Sequence, residues 1–462
     1  MPRPEWAFLS DAVALAGNLP GRWLADAKNR IALDRILGGS CLGGRTQELR
    51  GRTVLLAVKD QLTAALSLIE LDGVARRIVL CPPDLSPGHV GPVAAIAEAD
   101  AVVSDQLAGA LPAISAALQI AASSSVMANE RGRRPDLATE WILLTSGTTG
   151  LPKLVQHSLA SLAGPVSGAP VASHRPVWST FYDIRRYGGL QIFLRAMMGG
   201  GSLLLSDAGE ATAGFLARAK ANGVTHISGT PTHWRQALMS PEMRSFQPDY
   251  IRLSGEIADQ SILDALRQAV PRASIAHAYA STEAGVAFAV EDGRAGFPAS
   301  LIGQSIGEVD MQIDSGTLAI RSGRTASRYL GASAPPLHDA AGFVNTGDMI
   351  ERIGERYHFV GRRGGIINVG GAKVHPEEVE AVINTHPDVQ MSLVRARKSP
   401  ITGAVVVADV VLRYGVDGHI DVTRAILAAC QAALPAHKVP ATIRVVSELA
   451  VTPSGKLVRQ NA

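Results

Sequence analysis

The sequence predicts an α/β protein: a large N-terminal region of layered α/β subdomains, a β-rich subdomain behind it, and a small α+β region at the end. Three observations carry this. Short β-branched or leucine-rich runs alternate with helical stretches of about ten to fifteen residues, which suggests a parallel sheet with helices on its faces. Past Gly307 the texture changes to short alternating segments joined by glycine-containing turns, an antiparallel pattern. Finally "GRRGG" at 361–365 is charged and glycine-rich, suited to a linker.

In order, the first layer runs "RTVLLAVKD", "LTAALSLIELDGV", "RIVLC", "VGPVAAIAEAD" and "AVVSD". The same alternation returns in "GSLLLS", "GFLARAKANGVTHISGT", "YIRLSG" and "SILDALRQAVPRASIAHAY", so α/β layers are expected to about residue 305. The β-rich subdomain, 306–361, contains "EVDMQIDSGTLAIRSG" and "GFVNTGDMIERIGERYHFVGRR", and mixed helix and strand follow "GRRGG". No internal repeat or low-complexity tract stands out, and 121–138 is the most loop-like segment.

A chain of 462 residues exceeds one ordinary core, so two or three domains are expected. With 47% apolar residues, 18% charged residues and a net charge of +3, the composition is that of a soluble globular protein. No basic block is dense enough to neutralise a row of phosphates, so no nucleic-acid partner is expected. Cys41, Cys81 and Cys430 are too scattered for a disulfide framework or a zinc cluster. No apolar run reaches the ~18 residues of a membrane span, and a cytoplasmic location without membrane insertion is the plain expectation.

One stretch, "WILLTSGTTGLPKLVQHS" at 141–158, differs from its surroundings. Four apolar or aromatic residues run into hydroxyls, glycines and a lysine. Glycines let the backbone approach a ligand, and backbone N–H groups, hydroxyls and an ammonium together cradle polyphosphate. The spacing is not that of a GxxxxGK[ST] loop, because Gly147 and Gly150 are too close and no hydroxyl follows Lys153. A flexible surface loop would explain the glycines but not their launch from so apolar a strand.

Further along stand "YASTEAG" at 279–285, "NTGDMIER" at 345–352, "GRRGGIINVGGAKVHPEEVE" at 361–380 and "TPSGKLVR" at 452–459. With "TSGTTGLPK", these five motifs, in this order, resemble the adenylate-forming superfamily of acyl-CoA synthetases, nonribosomal adenylation domains and firefly luciferase. The resemblance covers the chain from about residue 50 to its end. It implies an N-terminal AMP-binding domain over 1–361, a hinge at 362–365 and a C-terminal catalytic lid over 366–462. It also implies an activity: a carboxylate is joined to ATP with release of pyrophosphate, and the acyl group passes from acyl-AMP to a thiol. ATP, Mg²⁺ and CoA, or a carrier protein's phosphopantetheine, are the implied cofactors.

By the resemblance, Thr145, Ser146, Gly147, Thr148, Thr149, Gly150 and Lys153 form the β,γ-phosphate loop. Thr282 touches the α-phosphate and Glu283 holds Mg²⁺, a hard cation suited to carboxylate oxygen. Ala280 and Ser281 complete that cofactor-binding segment, and Tyr279 lies against adenine. Asp348 accepts from the ribose hydroxyls with Arg362 beside it. Lys456 reaches the carboxylate and α-phosphate, where a cation lowers the barrier as charge builds. In isolation Asp348 reads as a turn residue and Lys456 as a solvated tail lysine. Gly255 and Glu256, in "LSGEIA", line the acyl and adenine sites.

Two departures from the family pattern stand out. At the hinge, Gly364 and Gly365 replace the usual aspartate or lysine, while Gly370 and Gly371 still match the thiol tunnel. In the acyl pocket, "STFYDIRRYGGLQ" puts Tyr182 or Asp183 where relatives carry histidine, with Arg186 and Gly188 close by. Asp183 suits a substrate amine, or else forms an ion pair with Arg185 and Arg186. His226, His233 and His277 come from the other lining segments; the first two fit no helical metal pair. The leading expectation is an acid:CoA ligase. The alternatives are a stand-alone enzyme loading an acid or amino acid onto an acyl or peptidyl carrier protein, and a nucleotide-binding relative without enzymatic activity.

Overall fold

The computed structural model describes the chain except for residues 1–7, 18, 107–116, 130–134, 146–149, 165, 167–174, 306, 400–402, 417–418, 453 and 460–462. Two compact units are interleaved along the sequence: residues 1–228, 280–287 and 321–344 form one, and 229–279, 288–320 and 345–462 the other.

In the first unit a seven-stranded sheet runs, in spatial order, Arg328–Tyr329, Lys153–Ser158, Glu140–Thr145, Arg77–Leu80, Thr53–Leu56, Ala101–Ser104 and Leu118–Ala121. From Glu140–Thr145 outward the pairs are parallel; Lys153–Ser158 and Arg328–Tyr329 add antiparallel neighbours. The strands Thr53–Leu56, Arg77–Leu80 and Ala101–Ser104 are buried at every position, as expected of parallel strands covered on both faces. Arg77 tolerates such a place because its Nε donates to Glu140 Oε2 on the next strand at 2.6 Å and its Nη1 donates to the Ala97 carbonyl at 2.7 Å. The helix Gln61–Leu71 is capped by Asp60, which accepts from Thr63 N, and every one of its residues is buried. A second parallel set in this unit aligns Trp23–Ala25, Ser202–Leu205, Val177–Thr180 and His226–Gly229.

In the second unit Tyr250–Ser254 pairs in parallel with Ser274–Ser281. The stretch after Gly307 is antiparallel as expected: Val344–Ile353 pairs with Arg356–Arg362, which pairs with Phe297–Pro298. The last part of the chain is mixed: Val389–Ser399, Gly403–Leu412 and Thr442–Val445 form a sheet over which the helices Pro376–Ile383 and His419–Ala433 contribute to one core of valines and isoleucines. The mixed α/β class expected from the sequence is the one observed. No helix among the described residues is long and apolar enough to cross a membrane.

Candidate active site

Ligand-binding residues of open α/β sheets gather beyond the carboxyl ends of parallel strands. The motif residues of this chain follow that rule strand by strand. Glu140–Thr145 leads into the glycine- and hydroxyl-rich motif, Val177–Thr180 into Tyr182, Tyr250–Ser254 into Gly255 and Glu256, and Ser274–Ser281 into Thr282 and Glu283.

Ser146, Gly147, Thr148 and Thr149 lie outside the described residues. The stems of their loop are described: Thr145 pairs with Lys153 across it, and Gly150 takes φ +89°, a conformation that favours glycine. Lys153 Nζ stands 4.9 Å from the centroid of the Tyr329 ring. The Tyr329 hydroxyl donates to Glu283 Oε1 at 3.3 Å, and Thr145 Oγ1 donates to the same oxygen at 3.4 Å. This unit therefore brings together Thr145, Lys153, Glu283 and Tyr329, a carboxylate flanked by hydroxyls and an ammonium. The oxygens of this set, one carboxylate and two hydroxyls, fit Mg²⁺, which binds through one or two carboxylates and shares the rest of its shell with phosphate and water.

Ala280 and Ser281 end their strand, and Ser281 Oγ accepts from Ala284 N at 3.0 Å, closing the turn that carries Thr282 and Glu283. The turn is fixed from below by His157, whose Nε2 lies 2.7 Å from the Thr282 carbonyl and whose Nδ1 lies 2.9 Å from Ser161 Oγ. Burial lowers the His157 pKa to about 4. The neutral ring therefore donates through Nε2 and accepts from Ser161 through Nδ1.

In the second unit, Asp348 faces Arg362 across the Val344–Ile353/Arg356–Arg362 pair. Arg362 Nε donates to Asp348 Oδ1 at 2.8 Å and the Tyr279 hydroxyl donates to Oδ2. A carboxylate has about four lone-pair sites, so two protein donors leave room for a diol. Burial and the Asp348 charge hold the Tyr279 hydroxyl well above its ordinary pKa, so it remains a donor. Its ring stacks on Phe359 at 4.9 Å and on Phe288 at 5.8 Å, within an aromatic cluster.

Lys456 belongs to a tight turn closed by Thr452 N–H to the Lys456 carbonyl at 2.7 Å and Gly455 N–H to the Thr452 carbonyl at 2.8 Å. Its side chain crosses Gly255: a Cβ on that glycine would lie 3.3 Å from Lys456 Cε and 3.7 Å from Nζ. Glu256 is engaged at both oxygens, accepting from Thr232 N at 2.9 Å and from Leu457 N at 3.1 Å. Lys456 and the pair Gly255 and Glu256, two hundred residues or more apart in sequence, are thus neighbours.

The proposed acyl pocket divides. Tyr182 is buried and its ring lies 3.5 Å from where a Cβ on Gly188 would stand. Asp183 is spent on Arg185, which donates to its two oxygens at 2.7 and 2.5 Å and also donates to the Val58 and Lys59 carbonyls. Arg185 is fully buried, so its partner is required on solvation grounds alone. Arg186 turns to Asp84 instead, at 2.5 and 2.7 Å. His226 begins its strand, the end opposite to the ligand side of a parallel sheet, where it packs on Trp178 at 4.7 Å and bonds Thr225 Oγ1. His277 sits mid-strand with Nε2 3.0 Å from the Arg294 carbonyl. Neither histidine joins the loop that follows its strand.

Gly370 and Gly371 form the exposed two-residue turn between Ile367–Val369 and Ala372–Val374, with φ of +57° and +89°. Two successive positive φ angles mark a type I′ hairpin turn. Gly364 and Gly365 lie in a short exposed 3₁₀ turn, where Arg363 Nη2 donates to the Ser315 carbonyl at 3.1 Å.

A family profile described as AMP-binding enzyme matches residues 78–324, more than half of the chain, and one described as AMP-binding enzyme C-terminal domain matches residues 378–456. The chain belongs to the AMP-binding enzyme family. This AMP-binding enzyme is 27% identical over 393 residues to a 2-succinylbenzoate–CoA ligase of Geobacillus kaustophilus (strain HTA426), covering 78% of this chain and 76% of that one. It is 29% identical over 370 residues to an oxalate–CoA ligase of Arabidopsis thaliana, covering 74% and 71%. Its fold matches the crystal structure of an anthranilate–CoA ligase in complex with anthranoyl-AMP with a TM-score of 0.79, at 18% identity and over 97% and 95% of the two chains.

Sequence reasoning missed four residues of this AMP-binding enzyme: His157, Tyr329, Thr230 and Arg459. For His157 the sequence offers no local signal, since its strand reads KLVQHS with polar residues on both sides of it. Thr230 was legible as an N-cap, since Pro231 follows it. Tyr329 joins Glu283 only through long-range strand pairing, and Arg459 bonds Glu380 at 2.8 and 2.7 Å across a gap no local pattern reveals.

Proposed function

We propose that this enzyme activates a carboxylic acid with ATP and passes the acyl group to CoA. The carboxylate oxygen attacks the α-phosphorus, the bond to pyrophosphate breaks, and acyl-AMP forms. The CoA thiol then attacks the acyl carbon, its proton is lost and AMP leaves. The observation that carries the reading is the Lys456 side chain lying across Gly255 beside Glu256, which supplies a cation next to the segment expected to bind nucleotide. A fixed positive charge of this kind favours a transition state in which negative charge builds.

Asp348, between Arg362 and Tyr279, receives the ribose hydroxyls, and Lys153 together with the loop it closes receives the outer phosphates. Glu283, with the Thr145 and Tyr329 hydroxyls, would hold Mg²⁺, which neutralises charge on phosphate oxygens when bound. His157 keeps the Thr282 backbone, and with it Glu283, in place. The commitment of Asp183 to Arg185 favours an acid without a neighbouring amine. CoA as the thiol is supported by the CoA ligases among the relatives. Residues 362–365 act as the hinge of a lid formed by 366–462, with Gly370 and Gly371 admitting the thiol.

Mass spectrometry after incubation with Mg·ATP, CoA and pooled aryl, fatty, dicarboxylic and amino acids tests this. A new acyl-CoA mass is expected and names the acid. Acyl-AMP without acyl-CoA would replace CoA by a carrier-protein thiol, and the absence of both products would overturn the reading.

A further inference from the structure

We propose that Thr230 is a positioning residue whose hydroxyl, together with Glu256, latches the Lys456 turn in the pose that serves acyl-AMP formation. The proposal rests on the reading of Lys456 given above. Thr230 is fully buried and caps the helix Pro231–Met239. A capping box usually places Glu or Gln three residues after the cap; here His233 stands there. His233 Nδ1 lies 3.1 Å from Thr230 N, and Thr230 Oγ1 accepts from His233 N at 3.0 Å.

The consequence is a matter of counting protons. Burial lowers the His233 pKa to about 4, so at neutral pH Nδ1 is an acceptor and is served by the Thr230 N–H. Thr230 has one hydroxyl proton and two acceptors in reach, His233 Nδ1 at 3.0 Å and the Gly455 carbonyl at 2.7 Å; with Nδ1 already served by the Thr230 N–H, the proton goes to the shorter contact, the Gly455 carbonyl. Gly455 immediately precedes Lys456. On the other side of the lysine, the Leu457 N–H donates to Glu256 Oε1 at 3.1 Å. Lys456 is therefore bracketed by two bonds to residues more than two hundred positions upstream. Farther along, Arg459 bonds Glu380 on the helix Pro376–Ile383. That third bond ties the turn to its own part of the chain and cannot by itself choose between poses of Lys456; the Thr230 and Glu256 bonds can.

The test separates the two half-reactions in the full-length enzyme. Thr230→Val should slow pyrophosphate release about three- to tenfold, the range expected for one lost hydrogen bond. Transfer from synthetic acyl-AMP to CoA should stay within about twofold, and Thr230→Ser should restore the first step. Amide exchange across 455–457 should rise in the valine variant. Equal loss in both steps would reduce Thr230 to a helix cap, and no loss would overturn the latch. Should Thr230→Val not fold, Glu256→Gln decides: it leaves the cap intact and has one acceptor oxygen for two N–H donors. Selective loss of the first step supports the latch, and equal loss assigns Glu256 to nucleotide binding alone. Lys456→Ala is the control; if it retains acyl-AMP formation, the reading of Lys456 fails independently of the latch.

Discussion

Replacing Gly455 by alanine should undock Lys456 without unfolding the protein. Gly455 has φ +70°, where a side chain costs about 1–2 kcal/mol. A Cβ there would lie 1.8 Å from His233 Cε1 and 2.0 Å from Nε2, whereas carbon contacts below 3.0 Å are essentially never found. The ring would have to retreat by more than 1 Å, and it cannot do so while Nδ1 accepts from Thr230 N, a bond worth about 1 kcal/mol. The docked pose thus loses at least about 2–3 kcal/mol, whereas a turn that lifts away relieves the clash. The docked population, and with it the rate of pyrophosphate release at saturating substrates, should fall about 30- to 150-fold. Thermal unfolding should move little. Adding His233→Ala removes the ring and should recover about fivefold, the share of the roughly 1 kcal/mol bond. A Gly455→Ala enzyme that forms acyl-AMP within threefold of the parent would refute the reasoning.

Other expectations follow from the same geometry. Asp348→Asn removes the charge between Arg362 and Tyr279, so AMP affinity by calorimetry should weaken about tenfold or more with a near-unchanged melting temperature. Glu283→Gln should raise the Mg²⁺ concentration needed for half-maximal pyrophosphate release severalfold, which a magnesium titration reads. His157→Phe strands the Thr282 carbonyl and should cost about 1–3 kcal/mol in urea unfolding. Asp72 accepts from Leu9 N and Trp141 Nε1, and burial raises its pKa to about 6. Because the folded pKa lies above the unfolded one, its contribution is fully present below about pH 4 and is lost as pH rises through 6, a fall of about 3 kcal/mol from this group. Asp72→Ala should remove that slope, read from urea midpoints between pH 4 and 7.

Much of the site was legible because its chemistry interrupts local patterns. Glycines and hydroxyls break an apolar strand at Thr145, and Gly347 with Asp348 breaks a β-rich alternation, so these residues stand out. What stayed hidden depends on burial and long-range pairing. Asp183 stayed open between an amine reader and an ion-pair partner because nothing local says that Arg185 is fully buried and needs both of its oxygens. His226 and His277 sat in the right segments, but a sequence does not tell which end of a strand faces the ligand side. His157 looks like any core histidine until its strand is set against the Thr282 turn. His233, spaced from His226 in a way that fits no helical metal pair, reads as a core residue, and only the structure shows it as the partner of Thr230 in a capping box.

The interleaving of the two units bears on how the protein is made. Lys153–Ser158 is flanked on one side by Glu140–Thr145 and on the other by Arg328–Tyr329, so one face of its backbone hydrogen-bonding groups waits for a strand synthesised much later. At the usual ribosomal pace of about 5–20 residues per second, the roughly 170 residues between them take about 10–30 seconds to emerge. During that interval a nascent chain exposes an unpaired edge carrying Leu154 and Val155, both buried in the finished fold. The strand that supplies Tyr329 beside Glu283 is also the one that closes this edge, so the nascent chain completes its carboxylate cluster and loses its sticky margin in the same event.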